Sequence, residues 1–373
     1  MGYRLAALVT VALLAGACAS GRYGPSPSAR VPEAPRTLKK LSVVERDAAL
    51  QRAAVWQPID TPSLNLAAGP RLLPAERIAN TLSCTFVFPD KAVSGNTPKF
   101  LCEVRDGDVV KVKYGDKNGE VHAEIAASRL FWALGFKADR MYRTAVTCHG
   151  CPADPFAASK ADWHLGKPRD VGRHVFAPAA VERPVPGSAI EVPDFEGWAW
   201  PELDKVNPAL GGAPGPHVDA LKLLAVFVQH SDTKPEQQDL MCAPGRVTQD
   251  RAGNEACASP WLVVKDLGTT FGKATARNTS KMDLEDWSGA RIWREGMSCV
   301  GDLPRSLTGS LENPVISEAG RAFLANRLRM LTDRQIRDLF TAAMAERRGG
   351  SIDDWVRVFK RKREEIATAR CAA

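Results

Sequence analysis

The spacing of apolar and polar residues changes several times along this chain of 373 residues, and each spacing predicts a different element. Between residues 84 and 114, apolar and polar positions alternate in three short runs, separated by the turn-rich segments 90–98 and 105–108. Alternation with a period of two is typical of half-buried strands. The three runs, CTFVFP, KFLCEV and DVVKVKY, therefore predict three short antiparallel strands.

Apolar residues with helical spacing dominate the rest of the chain. Residues 119–136 predict a largely apolar helix closed by Gly135, and residues 217–229 predict a second helix. The sequence WLVV at 261–264 predicts a short buried strand. Further helices are expected over 318–331, after a capping box formed by Thr332 and Gln335, and from Ser351 onward. Strands followed mainly by helices predict an α+β fold.

The N-terminal residues have the pattern of an export signal. Arg4 precedes an apolar run at 5–14, which is too short to span a bilayer, and small residues then lead to Cys18. The segment LLAGAC resembles the lipobox of bacterial lipoproteins, which implies a lipidated Cys18 and a membrane-anchored, cell-envelope protein. Cleavage after Ala17 or Ala19, giving a secreted or periplasmic chain, remains the alternative.

Composition and periodicity divide the chain into five parts. Residues 19–40 are rich in proline and small polar residues, which is typical of an extended tether. The divisions are a signal with lipobox at 1–18, the tether at 19–40, a small α+β lobe at 41–150, an irregular insertion or hinge at 151–216, and a helical lobe at 217–373.

Composition and cysteine count narrow the class of protein. With 45% hydrophobic and 25% charged residues, the chain is globular, and its net charge of +7 suggests anionic partners without indicating nucleic acid. Eight cysteines remain besides Cys18, which in an exported protein predicts disulfides. Cys148 and Cys151 are expected to form a local disulfide; half of a zinc site, in a protein organised around these two cysteines, is the weaker alternative.

Two predicted elements carry side chains suited to holding phosphate groups. Lys111 and Lys113 lie on one face of their strand, and the helix that follows offers Glu120 and Glu124. A buried lysine needs a carboxylate partner, so a pair between Lys113 and Glu124 would satisfy both. Two surface lysines on an edge strand are the alternative interpretation.

Two later motifs resemble those of protein kinases. Residues 230–237, HSDTKPEQ, resemble the catalytic loop H-R-D-L-K-P-E-N, and residues 266–268, DLG, resemble D-F-G at the end of a strand. No G-x-G-x-x-G lies between the first strands and no A-P-E follows, so the chain is more similar to atypical kinase-like proteins: HipA-type, phosphoinositide-kinase-like and secretory-pathway kinases. The resemblance implies a two-lobed kinase-like fold with a small antiparallel-sheet lobe and a mainly helical lobe.

The resemblance also implies roles for particular residues. Asp232 would orient the acceptor hydroxyl and Lys234 would contact the transferred phosphate, whereas Asp266 and Gln237 would bind Mg²⁺ or Mn²⁺. Lys113 and Glu124 would form the lysine–glutamate pair that holds ATP or another nucleotide. The loop at 90–99 lies where a phosphate-covering loop would be, which makes Gly95 and Lys99 candidates for nucleotide contacts.

One residue departs from the kinase pattern at a metal position. Gln237 stands where the motif has asparagine, so the ligand could move to Gln238 or Asp239, or one metal ion could be lost. Two functions therefore stay open. The first is an exported phosphotransferase that acts on a protein, carbohydrate or lipid of the envelope or the extracellular space. The alternative is an inactive kinase-like lipoprotein that binds a ligand or partner protein.

Overall fold

A computed structural model describes residues 36–38, 41–72, 80–193, 195–249, 253–277 and 281–371. The predicted signal at 1–18, Cys18 and most of the predicted tether lie outside the described residues. Within these ranges the chain forms strands and helices in mixed order. The strands are β1 Arg36–Thr37, β2 Thr81–Val87, β3 Lys99–Arg105, β4 Asp108–Tyr114, β5 Lys137–Ala138, β6 Arg140–Pro152, β7 Val171–Arg183, β8 Ser188–Ala189, β9 Gln238–Cys242, β10 Val247–Gln249, β11 Glu255–Cys257 and β12 Pro260–Val264. The α-helices are α1 Val43–Gln51, α2 Gly119–Leu134, α3 Pro155–Ser159, α4 Gly215–Val228, α5 Leu284–Gly289, α6 Glu318–Arg329, α7 Asp333–Ala342 and α8 Ile352–Thr368.

Five strands close into a small barrel in the order β2-β3-β4-β7-β6. Strands β2, β3 and β4 pair antiparallel, as the alternating pattern predicted, and a parallel pair between β2 and β6 closes the barrel. Phe100, Val112, Val146 and Val181 fill its interior and are fully buried. Closure removes the unpaired strand edges that three isolated strands would leave exposed.

Strand β7 lies inside the segment 151–216, which the sequence analysis treated as an irregular insertion, and this part of that interpretation is wrong. The strand pairs with β6 over most of its length and with β4 at residues 179–182. Its register against β6 shifts between Thr144 and Val146 and again between Cys148 and Cys151. These irregularities break the period-two pattern on which strand prediction depends, so the alternation that would reveal β6 and β7 is lost.

A second sheet brings two distant loops to one edge. Its strand order is β1-β8-β9-β12-β5, with β9 and β12 antiparallel and Val264 opposite Gln238. The segment 230–237 runs into the start of β9, whereas Asp266 follows the end of β12 directly. Antiparallel pairing places the start of one strand beside the end of the other. The two kinase-like motifs therefore meet, although about thirty residues separate them in sequence.

Helices α4, α6, α7 and α8 pack against one another, and α2 packs against strands β5, β6 and β7 and helix α7. Helix α4 is almost entirely buried and ends at Gln229, which has a left-handed backbone with φ of 56°. The Gln229 side chain accepts a hydrogen bond from the Ala274 amide and donates to the Asp302 carbonyl at 3.0 Å. These bonds fix the turn that leads from α4 into His230. The described structure is of the α+β class, as predicted.

Four disulfides connect the eight cysteines that the structure describes. The pairs are Cys84–Cys102, Cys148–Cys151, Cys242–Cys257 and Cys299–Cys371. The local pair at Cys148 and Cys151 is therefore confirmed, and the zinc alternative for these two residues is not supported. Disulfides persist in oxidising compartments, so the four pairs agree with an exported protein. Among the helices in the described ranges, none is both long and apolar enough to cross a membrane.

Candidate functional site

Lys113 is the centre of a buried group of carboxylates. Its side chain is 1% exposed and its ammonium forms a hydrogen bond with Glu124. Asp266 Oδ1 lies 3.4 Å from the same nitrogen and Glu120 Oε2 lies 3.6 Å from it. The structure therefore joins the predicted pair of Lys113 and Glu124, and it adds two further carboxylates.

Local geometry explains how helix α2 supplies two of these carboxylates. Glu120 and Glu124 are four residues apart and share one face of the helix. The helix starts at Asn118, whose side-chain oxygen accepts a hydrogen bond from the Glu120 amide at 3.1 Å. This cap fixes the first turn of the helix opposite strand β4, where Lys113 lies.

The charges in this group control one another's protonation. Burial alone would lower the pKa of Lys113, but Asp266, Glu124 and Glu120 outweigh that effect and hold the pKa well above its usual value. Burial raises the pKa of Glu124 well above its usual value despite Lys113. For Asp266, the attraction of Lys113 overcomes burial and holds the pKa well below its usual value. These pKa shifts favour the charged forms of Lys113 and Asp266, whereas burial favours the protonated form of Glu124.

The glycine of the D-L-G motif is required by the packing of this group. A Cβ atom at Gly268 would lie 2.7 Å from Glu120 Cγ and 3.1 Å from Asp266 Oδ1. The Gly268 amide itself donates to Asp266 Oδ1 at 3.1 Å. Any larger residue at position 268 would displace the side chain of Glu120 or Asp266. The D-L-G motif therefore packs directly against helix α2.

Asp232 is attached to the residues that follow the D-L-G motif. Its backbone amide donates to Thr269 Oγ1 at 2.9 Å, and the Ser231 amide donates to the Thr269 carbonyl at 3.3 Å. Burial, followed by the charge of Asp266, raises the pKa of Asp232, and Lys234 opposes this effect. Asp266 and Lys234 therefore both act electrostatically on Asp232.

Gln237 lies beside Asp232, with its amide nitrogen 3.4 Å from Asp232 Oδ2. Gln238 and Asp239, the two residues that could replace Gln237 as a metal ligand, already contact other residues. Gln238 is fully buried and, with its amide oriented to satisfy its neighbours, accepts from the Trp200 indole at 3.1 Å. Asp239 pairs with Lys265 at 2.7 Å. A metal role for Gln237 stays a prediction, and the structure does not favour a shift to either neighbour.

The loop between β2 and β3 approaches the same group of carboxylates through a residue that sequence reasoning missed. Thr97 Oγ1 donates to Glu120 Oε1 at 2.5 Å. Lys281, also missed, donates to that oxygen at 2.5 Å and to Thr97 Oγ1 at 3.1 Å. Neither residue belongs to a motif, and only the fold joins them. Of the predicted loop residues, Gly95 has φ of 79° and accepts from Lys160, whereas Lys99 lies on β3 directly opposite Lys113.

Three carboxylates of this group, which also surround the Lys113 ammonium, lie close enough together to form a candidate metal site. Glu120, Glu124 and Asp266 each offer an oxygen, and these oxygens lie within 4.8 Å of one another. Glu124 Oε2 is buried and has no hydrogen-bond partner in the described structure. Carboxylate oxygens are the ligands that Mg²⁺ and Ca²⁺ prefer, so the residues fit a hard divalent cation.

Asp139, which directly follows β5, is a second buried acidic residue. Its side chain is 3% exposed and accepts a hydrogen bond from the Val185 amide at 3.0 Å. Burial, followed by the charges of Glu182 and Asp239, raises the pKa of Asp139 to about 8. Asp139 therefore retains its proton near neutral pH.

The raised pKa of Asp139 predicts a pH-dependent stability that Asp139→Asn removes. The pKa of Asp139 in the folded chain, about 8, exceeds its value of about 3.9 in the unfolded chain. The free energy of unfolding therefore has its full contribution from Asp139 below about pH 3.9. This contribution is lost as pH rises toward about 8, by at most about 1.4 kcal/mol per pH unit. Urea unfolding at several pH values should show Asp139→Asn gaining stability relative to the unmodified chain between about pH 6 and about pH 8. Equal pH dependence in the two proteins would contradict a protonated Asp139.

Comparisons with known proteins give a likeness in structure but no match in sequence. No protein-family model matches the sequence, and no curated protein matches it. Among solved structures, the chain is similar to the crystal structure of a Helicobacter pylori proinflammatory kinase, CtkA, with a TM-score of 0.37 and 10% identity. The alignment covers 77% of this chain and 92% of that one. The α+β class follows from the described strands and helices and does not depend on this likeness.

Proposed function

We propose that this chain is a metal-dependent phosphotransferase that uses ATP or another nucleotide as donor. The observation that carries the proposal is the buried contact of Lys113 with Glu124 and Asp266, close to Asp232. Phosphoryl transfer depends mainly on positioning and on neutralised charge, and these side chains are the parts that it needs. A resident cation bound by Asp266, with Glu120 or Glu124, would neutralise phosphate charge when present.

The chain's own residues have distinct tasks in this proposal. Lys113 fixes Asp266 and helix α2 in position, since its ammonium contacts carboxylates from both. Asp232 accepts the proton of the acceptor hydroxyl, and burial raises its pKa in the direction that a base needs. Lys234 lies next to Asp232, where it would meet the transferred group. Gln237 donates to Asp232 Oδ2 and orients that carboxylate.

A second candidate function is a non-catalytic binding protein with the same cleft. Gln237 favours this candidate because its longer side chain replaces the asparagine of the kinase loop. The cell envelope is the proposed location of either protein. The four disulfides support an oxidising compartment, and Cys18 is the proposed site of the lipid anchor.

Removing the carboxylate of Asp266 should abolish metal-dependent nucleotide binding. Thermal unfolding of the full chain with ATP or GTP, with and without Mg²⁺ or Mn²⁺, measures this binding. Ligand at about 100 times its dissociation constant should raise the free energy of unfolding by roughly 2.7 kcal/mol. In Asp266→Asn this gain should vanish, because the amide cannot supply the anionic oxygen that a cation requires.

The matched control is Asp90→Asn, which makes the same change on an exposed loop position. This variant should keep the full gain in stability. An Asp266→Asn protein that is stabilised by the nucleotide and metal as strongly as Asp90→Asn would contradict the proposed metal site. Failure of every nucleotide to stabilise the unmodified chain would contradict the proposed function itself.

A further inference from the structure

Two lysines face each other on the neighbouring strands β3 and β4. Lys99 on β3 is the register partner of Lys113 on β4, so their side chains leave the sheet on the same face. Like charges directly opposite one another destabilise an antiparallel pair. The carboxylates of Glu124, Asp266 and Glu120 offset the charge of Lys113. Among the described residues, Lys99 forms no ion pair, and Asp266 and Glu120 act on its charge only from beyond ion-pair distance.

Other lysines near the carboxylate group already have anionic partners. Lys111 contacts both carboxylate oxygens of Glu182, at 2.6 and 2.7 Å, and Lys281 contacts Glu120 at 2.5 Å. Within the described ranges, Lys99 Nζ has neither a carboxylate within ion-pair distance nor a hydrogen-bond acceptor. Its side chain is nevertheless half-buried. A half-buried cation without a partner is costly, and an anionic ligand would remove that cost.

The Lys99 ammonium lies against the loop around Gly95. A Cβ atom at Gly95 would lie 3.0 Å from Lys99 Nζ, so the ammonium rests against a backbone segment that carries no side chain. Lys160 holds this segment from the other side by donating to the Gly95 carbonyl and to Asn96 Oδ1. Lys99 is thus a cation positioned between the loop around Gly95 and the strand that carries Lys113.

We propose that Lys99, and not Lys113, makes the direct contact to the nucleotide phosphates. This inference rests on the proposed function and divides the work of the two lysines. Lys113 has its ammonium enclosed by carboxylates and acts as a positioning residue for Asp266 and Glu124. Lys99 has no anion of its own and receives the phosphate oxygens.

Lys99→Met tests the proposal through binding of ATP, ADP, adenosine and inorganic tripolyphosphate to the full chain in the presence of Mg²⁺. A hydrogen bond to a charged group contributes about 1.5–3 kcal/mol, so the dissociation constant of ATP should rise about 10- to 150-fold. Tripolyphosphate should weaken by a similar factor. Adenosine, which carries no phosphate, should bind equally to both proteins.

Two further variants separate a specific contact from a change in net charge. Lys99→Arg retains a cation and should retain most of the affinity for ATP, whereas Lys91→Met removes a charge from the exposed part of the same loop and should leave affinity unchanged. Equal affinity of Lys99→Met and the unmodified chain for ATP would overturn the role of Lys99 alone. Equal loss for adenosine and ATP would also overturn it, by showing a general distortion. Absence of ATP binding by the unmodified chain would instead overturn the proposed function together with this inference.

Discussion

Replacing Lys113 by methionine should lower the free energy of unfolding by about 3–5 kcal/mol, the cost of breaking a buried ion pair by removing one partner. Methionine fills a similar volume, so the loss arises from charge and not from a cavity. The carboxylates of Glu120, Glu124 and Asp266 would remain close together without the cation that holds them. Urea unfolding followed by tryptophan fluorescence measures the change.

Lys111→Met is the matched control, because it makes the same substitution two residues away on the same strand. The Lys111 side chain is 39% exposed and pairs with Glu182, and partly exposed pairs contribute at most about 1 kcal/mol. Adding Glu124→Leu to Lys113→Met should recover part of the lost stability, since it removes one unpaired buried carboxylate. Equal stability of the two single variants would contradict a buried, mutually dependent group.

The sequence was sufficient where the interacting residues lie on neighbouring elements. Strands β2, β3 and β4 have clear alternation and short connections, and α2 follows them directly. Lys113 and Glu124 are only eleven residues apart, so one strand and one helix suffice to predict their contact. The local disulfide between Cys148 and Cys151 was predictable for the same reason.

The sequence did not predict the contacts between residues that lie far apart in the chain. Strand β7 closes the barrel, but bulged pairing with β6 obscures its alternation. Lys281 reaches Glu120 across 161 residues, and Thr97 lies within a turn-rich segment that has no periodic pattern. Only the closed barrel and the packing of the D-L-G segment against α2 bring these side chains together. No local spacing encodes that arrangement.

The strand register, and not the motifs themselves, places the segment before β9 next to Asp266. Pairing of Val264 with Gln238 fixes the position of Asp266 relative to the segment 230–237. The motifs could be recognised in the sequence, but their meeting depends on an antiparallel pair that spans a disulfide-closed insertion between Cys242 and Cys257. The two motifs therefore lie close together only because β9 and β12 pair in this sheet.

Asp232→Asn should slow phosphoryl transfer by about 10²- to 10⁴-fold while leaving nucleotide binding unchanged. The amide keeps the size of the side chain and the Asp232 backbone bond to Thr269 Oγ1, but it cannot accept the proton of an acceptor hydroxyl. Nucleotide-dependent stabilisation should persist, because the proposed cation ligands and Lys99 are intact. ADP release in the presence of Mg²⁺, together with mass analysis of the chain for attached phosphate, measures the transfer.

Gln237→Asn provides the matched control, since it restores the residue of the kinase loop next to the same aspartate. Its shorter amide should retain turnover or increase it, whereas Asp232→Asn should lose it. Turnover that is equal in Asp232→Asn and the unmodified chain would exclude Asp232 as the proton acceptor. Nucleotide binding without turnover in the unmodified chain, with no gain in Gln237→Asn, would favour the non-catalytic binding protein, because then neither the aspartate nor the metal position would limit a reaction.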